Sequence, residues 1–208
     1  TQTYDPLGRQ HRRTLDANGE IRVLVLKWRD GKNLESRTLY RDNDDDEDAF
    51  IRKEVFGYDE LDRLTTHDYE GDWDIEEEDG ERWQALPRNA AGRSIIAQTF
   101  DFDALDNLSR CRTDFADGER DTARFTYAED SSFQLTKVTH TLLADYRAEQ
   151  TFHYDARGNM LNDEQGRKLE YDSHGRLQRV LDANDTEFMK YLYDGHDQLL
   201  AATQAGKA

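Results

Sequence analysis

A seven-residue pattern recurs six times along the chain and limits its possible folds more than any other feature. Each copy starts with an aromatic residue, here position zero, followed by Asp at position one. Position four is Gly or Asp, position five is Arg, Asn or Gln, and position six is Leu or Met in every copy except the first. The residues that define the copies are Tyr4, Asp5 and Gly8; Tyr58, Asp59 and Leu64; Phe102, Asp103 and Leu108; Tyr154, Asp155 and Gly158; Tyr171, Asp172, Gly175 and Leu177; and Tyr193, Asp194 and Leu199.

The chemistry of these positions predicts a hairpin turn in each copy. Apolar residues alternate before the turns, as in Phe152 and Tyr154 or Tyr191 and Tyr193, which is the period of a β-strand. Asp at position one can accept hydrogen bonds from turn amides, and Gly or Asp at position four can adopt a positive φ. The residue at position six then starts the returning strand beside the aromatic ring. We therefore expect the motif residues to be structural, with ligand binding as the less favoured alternative.

Long gaps between copies predict degenerate copies that the strict pattern does not show. The candidates are Trp28 leading to Asn33 and Leu34, the segment 125–135, and the Gly92-Arg93 pair. Further hairpin signals are Asn18-Gly19, Asp30-Gly31 and Asp117-Gly118. Because such units gain stability by stacking, we predict an all-β fold of antiparallel hairpin repeats that form a curved or spiralling β-ribbon. We treat residues 1–208 as one repeat region, crisp over 102–199, with degenerate repeats and acidic loops over 28–93.

Composition favours a folded acidic protein. The 10 Tyr, 9 Phe and 3 Trp residues supply apolar area that disordered chains lack, although the net charge is −17. That charge repels phosphate backbones, and no stripe of basic residues compensates for it, so nucleic acid is excluded as a partner. No apolar stretch is long enough to predict a membrane span, and the first residues lack the apolar core of a signal peptide. The chain is either cytosolic when made or an internal fragment.

The acidic runs 42–48 and 72–81 invite a calcium interpretation, which the spacing does not support. Asp42, Asp44 and Asp46 alternate as in an EF-hand loop, but Glu47 and Lys53 occupy the places of the required Gly and bidentate Glu. We expect solvated loops there, with weak cation binding as the less favoured alternative.

No residue set predicts catalysis, a metal site or a cofactor. The six histidines (His11, His67, His140, His153, His174 and His196) lack metal-ligand spacing, and we expect them to be exposed strand or turn residues. Cys111 is the only cysteine, so it forms no disulfide within the chain, and we expect a small apolar side chain that is buried or half-buried. The sequence carries no nucleophile elbow, phosphate loop or dinucleotide fingerprint. We predict that the protein is not an enzyme.

The motif resembles the YD repeats of RHS proteins and of the B and C components of bacterial insecticidal toxin complexes. Residues 152–160 and 169–177 carry the Tyr-Asp-x-x-Gly-Arg-Leu pattern and its lead-in best. The resemblance implies a hollow β-shell that encloses a toxic C-terminal effector, with the remainder of the shell and that effector as partners. It also implies a secreted or cell-surface bacterial protein.

Two alternatives stay open beside the shell. One is an extracellular module that binds carbohydrate through exposed rings, for which Trp28, Trp73 and Trp83 are the rings to inspect. The other is a fragment of a self-cleaving RHS protein. The terminal Asp-Pro and Gly-Leu segment near which such shells are cleaved is not visible, so no protease residues carry over.

Overall fold

In a computed structural model of the chain, the structure describes residues 1–17, 19–29, 31–41, 50–71, 75–76, 82–83, 86–129 and 133–206. Within these ranges the regular elements are β-strands only. The strands are β1 (Gln2–Tyr4), β2 (Gln10–Ala17), β3 (Glu20–Trp28), β4 (Leu34–Arg41), β5 (Phe50–Tyr58), β6 (Leu64–Gly71), β7 (Ile75–Glu76), β8 (Arg82–Trp83), β9 (Ile95–Phe102), β10 (Leu108–Phe115), β11 (Arg120–Tyr127), β12 (Leu135–Thr139), β13 (Glu149–Thr151), β14 (Lys168–Tyr171), β15 (Leu177–Leu181), β16 (Glu187–Tyr193) and β17 (Leu199–Gln204).

Neighbouring strands pair antiparallel and mostly in chain order, which is what hairpin repeats produce. The predicted all-β, antiparallel hairpin fold is therefore confirmed. No helix in the described ranges is long and apolar enough to cross a membrane.

The chain divides into two compact units. Unit 1 comprises Thr1–Arg124 and His140–Tyr146, and unit 2 comprises Phe125–Thr139 and Arg147–Ala208. In unit 1 the strands follow the order β1-β2-β3-β4-β5-β6-β9-β10-β11, where β11 contributes its residues up to Arg124, and β7 pairs with β8. In unit 2, β12 pairs with β13, and β14 to β17 form a four-stranded sheet in chain order.

Unit 1 buries residues on both faces of its sheet, because the buried Ser36 pairs with Val55 whereas the buried Glu54 pairs with Arg37. In β4, Ser36, Thr38 and Tyr40 are buried, whereas the residues between them are less so. Val23 and Phe115 have 0% and 1% of their surface exposed and are the most deeply buried apolar residues described. All three buried β4 residues carry hydroxyl groups, and no buried side-chain oxygen or nitrogen of the described residues lacks a hydrogen-bond partner, so hydrogen bonds stabilise this face as well as apolar contact.

The expectation that all histidines are exposed was wrong for two of them. The His67 and His140 side chains are only 14% and 12% exposed, because each one hydrogen-bonds a buried carboxylate. A charged partner lowers the cost of burying an imidazole, and sequence spacing cannot reveal such a partner.

Several sequence predictions lie outside the described residues. They concern Asn18, Asp30, Trp73, the side chain of Trp83, the acidic run 42–48 and the acidic run 72–81 except for its residues in β7, which pair with β8.

Candidate functional site

The turn at Asp172 shows how each hairpin is closed. The Asp172 amide donates to Arg176 O at 3.0 Å, and the Gly175 amide donates back to Asp172 O at 3.1 Å. Asp172 Oδ1 accepts from the amides of His174 and Arg176 at 2.8 and 3.0 Å. Its Oδ2 accepts from Arg176 Nε at 2.7 Å. One carboxylate thus satisfies two turn amides and the guanidinium at position five.

The same backbone bonds recur at the other five motif aspartates. In each turn the position-one amide donates to the position-five carbonyl, and Oδ1 accepts from the amides at positions three and five. These five aspartates are Asp5, Asp59, Asp103, Asp155 and Asp194.

The residues at positions zero and six lie opposite each other in every copy. The Cα partners are Tyr4 and Gln10, Tyr58 and Leu64, Phe102 and Leu108, Tyr154 and Met160, Tyr171 and Leu177, and Tyr193 and Leu199. In the five copies whose strands pair as a ladder, the register shifts immediately before this pair. The turn therefore fixes the register of the two strands that it joins.

Position four has a positive φ in all six copies. The angles are 77°, 84° and 79° for Gly8, Gly158 and Gly175. Asp106 and Asp197 adopt 65° and 64°, and Asp62 adopts 62°. An L-residue is strained in this region, although Asp tolerates it better than most, so the aspartates need a compensating contact.

Sequence reasoning missed two turns of the same kind. Asp163 and Asp182 accept the same pair of amides, but Asn162 and Leu181 stand where the motif has an aromatic ring. The Asp-x-x-Gly-Arg spacing that begins at Asp163 would have revealed the first of them.

Two of the degenerate candidates lie in turns whose ends meet as in the motif. The Arg29 amide donates to Asn33 O at 2.9 Å, directly after Trp28. The Ala128 amide donates to Gln134 O at 2.9 Å, directly after Tyr127.

The third candidate, Gly92-Arg93, belongs to a motif turn whose carboxylate comes from elsewhere in the sequence. Asn89 occupies position one, and its Oδ1 accepts from the amides of Ala91 and Arg93. Arg93 Nε instead donates to Asp145 Oδ2 at 2.7 Å, and Asn89 Nδ2 donates to the same oxygen at 2.7 Å. Asp145 thus replaces the carboxylate that Asn89 lacks, although 56 residues separate them.

The tyrosines at position zero in three copies donate hydrogen bonds to the neighbouring strand. Tyr193 and Tyr154 donate their hydroxyls to Leu177 O and Leu135 O at 3.0 and 2.9 Å. Tyr58 donates to Leu34 O at 2.9 Å. Trp28 Nε1 donates in the same way to Gln10 O at 2.9 Å. Each acceptor is the first residue of the neighbouring strand, so the rings join successive hairpins.

Arginines of one turn cover the aromatic ring of the next repeat. The guanidinium carbons of Arg63 and Arg176 lie 4.8 and 4.9 Å from the ring centroids of Phe102 and Tyr193. Arg9 lies 5.3 Å from Trp28. The guanidinium groups cover one face of each of these rings. Of the six motif aromatic residues only Tyr4 is highly exposed, with 59% of its surface accessible, and the other five are half-buried.

Hydrogen bonding lowers the pKa of several turn carboxylates. The hydrogen bond from the Arg176 amide is the main cause at Asp172, where burial opposes it and the Arg176 guanidinium assists, and the pKa falls to about 2. Hydrogen bonds from the Asn159 side chain and amide lower the pKa of Asp155 in the same direction. These caps therefore stay ionised well below neutral pH.

Unit 1 also buries a carboxylate that belongs to no turn. Glu54 is 2% exposed and accepts from Arg37 Nε and Nη2 at 3.0 and 2.6 Å. Arg52 Nε lies 3.1 Å from its Oε1, and His67 Nε2 lies 3.0 Å from its Oε2. Tyr69 hydrogen-bonds the other His67 nitrogen, Nδ1, at 2.9 Å. Burial raises the pKa of Glu54, but the bonds from His67 and Arg37 outweigh it and hold the pKa at about 2.

Antiparallel hairpins closed by Asp-capped turns define the class of protein as an RHS-type YD-repeat shell segment. Residues 79–206, more than half of the chain, match the family model described as teneurin YD-shell. The chain therefore belongs to the teneurin YD-shell family. No curated protein matches the chain in sequence.

Two solved toxin-complex structures share the fold. One is the crystal structure of TcdB2-TccC3-Cdc42, with 15% identity and a TM-score of 0.61 over 98% of this chain. The other is the Tc holotoxin pore of Photorhabdus luminescens, with 15% identity and a TM-score of 0.60 over 99% of this chain. The chain spans 11% of the length of each matched chain, and at this identity the likeness concerns the fold alone.

Proposed function

We propose that this chain is a wall segment of an RHS-type shell that encloses a toxic effector and helps to deliver it. The observation that carries the proposal is the bonding between successive hairpins. Each bonded ring joins its strand to the neighbouring one, and the arginines cover rings of the next repeat. Hairpins bonded in this way suit a wall, because their aromatic rings are used in contacts between repeats and leave little exposed aromatic surface to recognise a ligand.

The charge of the chain supports an effector of opposite sign. Its net charge is −17, and in the turns the carboxylates are held ionised by amides and guanidinium groups. A wall of this kind attracts a basic polypeptide without a defined pocket. The partners are then the rest of the shell and the enclosed effector, and the whole protein is secreted or on the bacterial cell surface.

The carbohydrate alternative has less support. Stacking on sugars needs open ring faces, whereas Trp28, Phe102 and Tyr193 each carry a guanidinium group on the ring. The proposed role is structural and does not include catalysis.

Binding of unfolded peptides tests the proposal directly. The 208-residue chain is titrated into a fluorescent, unstructured Lys/Gly peptide and into a matched Glu/Gly peptide at low and at high salt. We expect weak anisotropy changes for the basic peptide only, lost at high salt because screening removes the attraction. A glycan array run in parallel should be blank. Saturable binding of one glycan, competed by the free sugar, would replace the shell assignment by the carbohydrate module.

A further inference from the structure

The aspartates at position four share a feature that the hairpin motif alone does not explain. Within the described ranges, the non-glycine residues with a positive φ are Asp62, Asp106, Asp185 and Asp197. All four stand at position four of a motif turn, where Gly would fit without strain. Their side chains must therefore provide something that Gly lacks.

Each of these carboxylates accepts a contact from the preceding turn on the same edge of its unit. Arg176 Nη1 donates to Asp197 Oδ1 at 2.7 Å, and Arg63 Nη1 donates to Asp106 Oδ1. Both donors occupy position five, and their Nε atoms still bind the carboxylate of their own turn.

Asp62 and Asp185 also accept a hydrogen bond from a side chain of the preceding turn on their edge. Asn33 Nδ2 donates to Asp62 Oδ1 at 2.7 Å, and Lys32 Nζ lies 3.8 Å from its other oxygen. Lys168, directly after position five of its turn, donates to Asp185.

Two of the glycines at position four lie beside a neutral side-chain amide of the preceding turn. A Cβ built on Gly175 would lie 3.7 Å from Asn159 Oδ1, and one built on Gly158 would lie 3.7 Å from Gln134 Nε2. An aspartate at Gly175 would face the amide oxygen of Asn159, so the strain of a positive φ would have no ionic compensation.

We propose that positions four and five form a neighbour-matching pair that selects which YD hairpins can lie side by side. Asp at position four requires a preceding turn that presents a side-chain donor, as Arg63, Arg176 and Asn33 do. Gly at position four lies beside Asn159, whose side-chain nitrogen is already bound to Asp155 of its own turn. The surface is the turn edge of the hairpin, and the partner that fits it is another YD hairpin of matching type. This inference is independent of whether the shell encloses an effector, because it concerns only contacts between neighbouring turns.

A double-mutant cycle measures the charged pair in unit 2. Arg176→Gln, Asp197→Gly and the double variant are compared by native-state hydrogen exchange at the β17 amides, in the intact 208-residue chain. Effects of Arg176 on Asp172 and Tyr193 cancel in the cycle. We expect a coupling of about threefold in the protection factor, typical of a partly exposed ion pair, that shrinks in high salt. A coupling below about 1.5-fold would overturn the proposal.

A transplant of the charged pair into the neutral position tests selection itself. Gly175→Asp alone should lower the protection of the β14 and β15 amides about threefold to fivefold, because the residue is strained and unpaired. Adding Asn159→Arg should restore most of the loss. The control is Asn159→Arg with Gly175→Asn, since Asn tolerates a positive φ but carries no charge. Equal protection in the Asp and Asn versions would refute the matching rule, and circular dichroism confirms that each variant is folded.

Discussion

The buried carboxylate Glu54 allows the sharpest prediction about stability. Its pKa lies at about 2 in the folded chain, against 4.5 ordinarily, a difference of about 2.5 units. At roughly 1.4 kcal/mol for each pKa unit, the ionised carboxylate contributes about 3.5 kcal/mol to the free energy of unfolding at neutral pH. Glu54→Gln removes the charge but keeps the shape, so we expect the variant to be about 3.5 kcal/mol less stable at pH 7. Loss of one partner from a buried ion pair has a similar typical cost.

The pH dependence of this difference has a defined sign. Because folding lowers the pKa of Glu54, its contribution is complete above pH 4.5 and is lost as the pH falls toward 2. Urea unfolding followed by tryptophan fluorescence reports on unit 1, which contains Trp28. The gap between the parent chain and the variant should be largest at pH 6 to 7 and should narrow steadily below pH 4.5.

An exposed ion pair of the same unit provides the control. Glu70 is paired with Lys53 at 3.3 Å, but its side chain is 52% exposed. Glu70→Gln should therefore change the free energy of unfolding by no more than about 0.5 kcal/mol. A Glu54→Gln cost below 1 kcal/mol at pH 7, or one that stays constant down to pH 3, would refute the assignment of stability to the Glu54 charge.

Three further predictions concern the turns. Asn89→Asp puts a second carboxylate beside Asp145 and should lower the free energy of unfolding by about 1 kcal/mol, measured by urea unfolding at pH 7. The double variant Asn89→Asp with Asp145→Asn makes a motif turn with its own Asp and should recover most of that stability. If the two substitutions lower stability additively, Asp145 does not replace the carboxylate that Asn89 lacks. Tyr193→Phe removes the hydrogen bond from the tyrosine hydroxyl to Leu177 O. The hydrogen-exchange protection of the β15 and β16 amides should fall about fivefold, which corresponds to about 1 kcal/mol. Unchanged protection would show that this ring does not link the two hairpins. Asp172 has its pKa lowered from 3.8 to about 2, so Asp172→Asn should destabilise the chain above pH 4 and progressively less toward pH 2; a loss equal at pH 7 and pH 2.5, by thermal unfolding, would show that the charge is irrelevant.

The turns were predictable from sequence because their bonds are local. Asp172 binds residues two and four positions ahead, so residue type and spacing are sufficient to infer the bonds. The turns at Asp163 and Asp182 have the same local bonds but lack an aromatic residue at position zero, so the strict seven-residue pattern does not include them. A pattern based on the Asp and the positive-φ position alone would have predicted the turn at Asp163.

The remaining contacts depend on which hairpins become neighbours, and only the tertiary structure decides this. Arg63 and Asp106 are 43 residues apart, and Asn89 and Asp145 are 56 apart. The sequence by itself determined the strand period, the turn chemistry and the antiparallel class, because these follow from interactions within a few residues. The partners of Glu54, the burial of two histidines and the matching of neighbouring turns required the strand order, since the energy of each contact exists only once distant segments lie side by side.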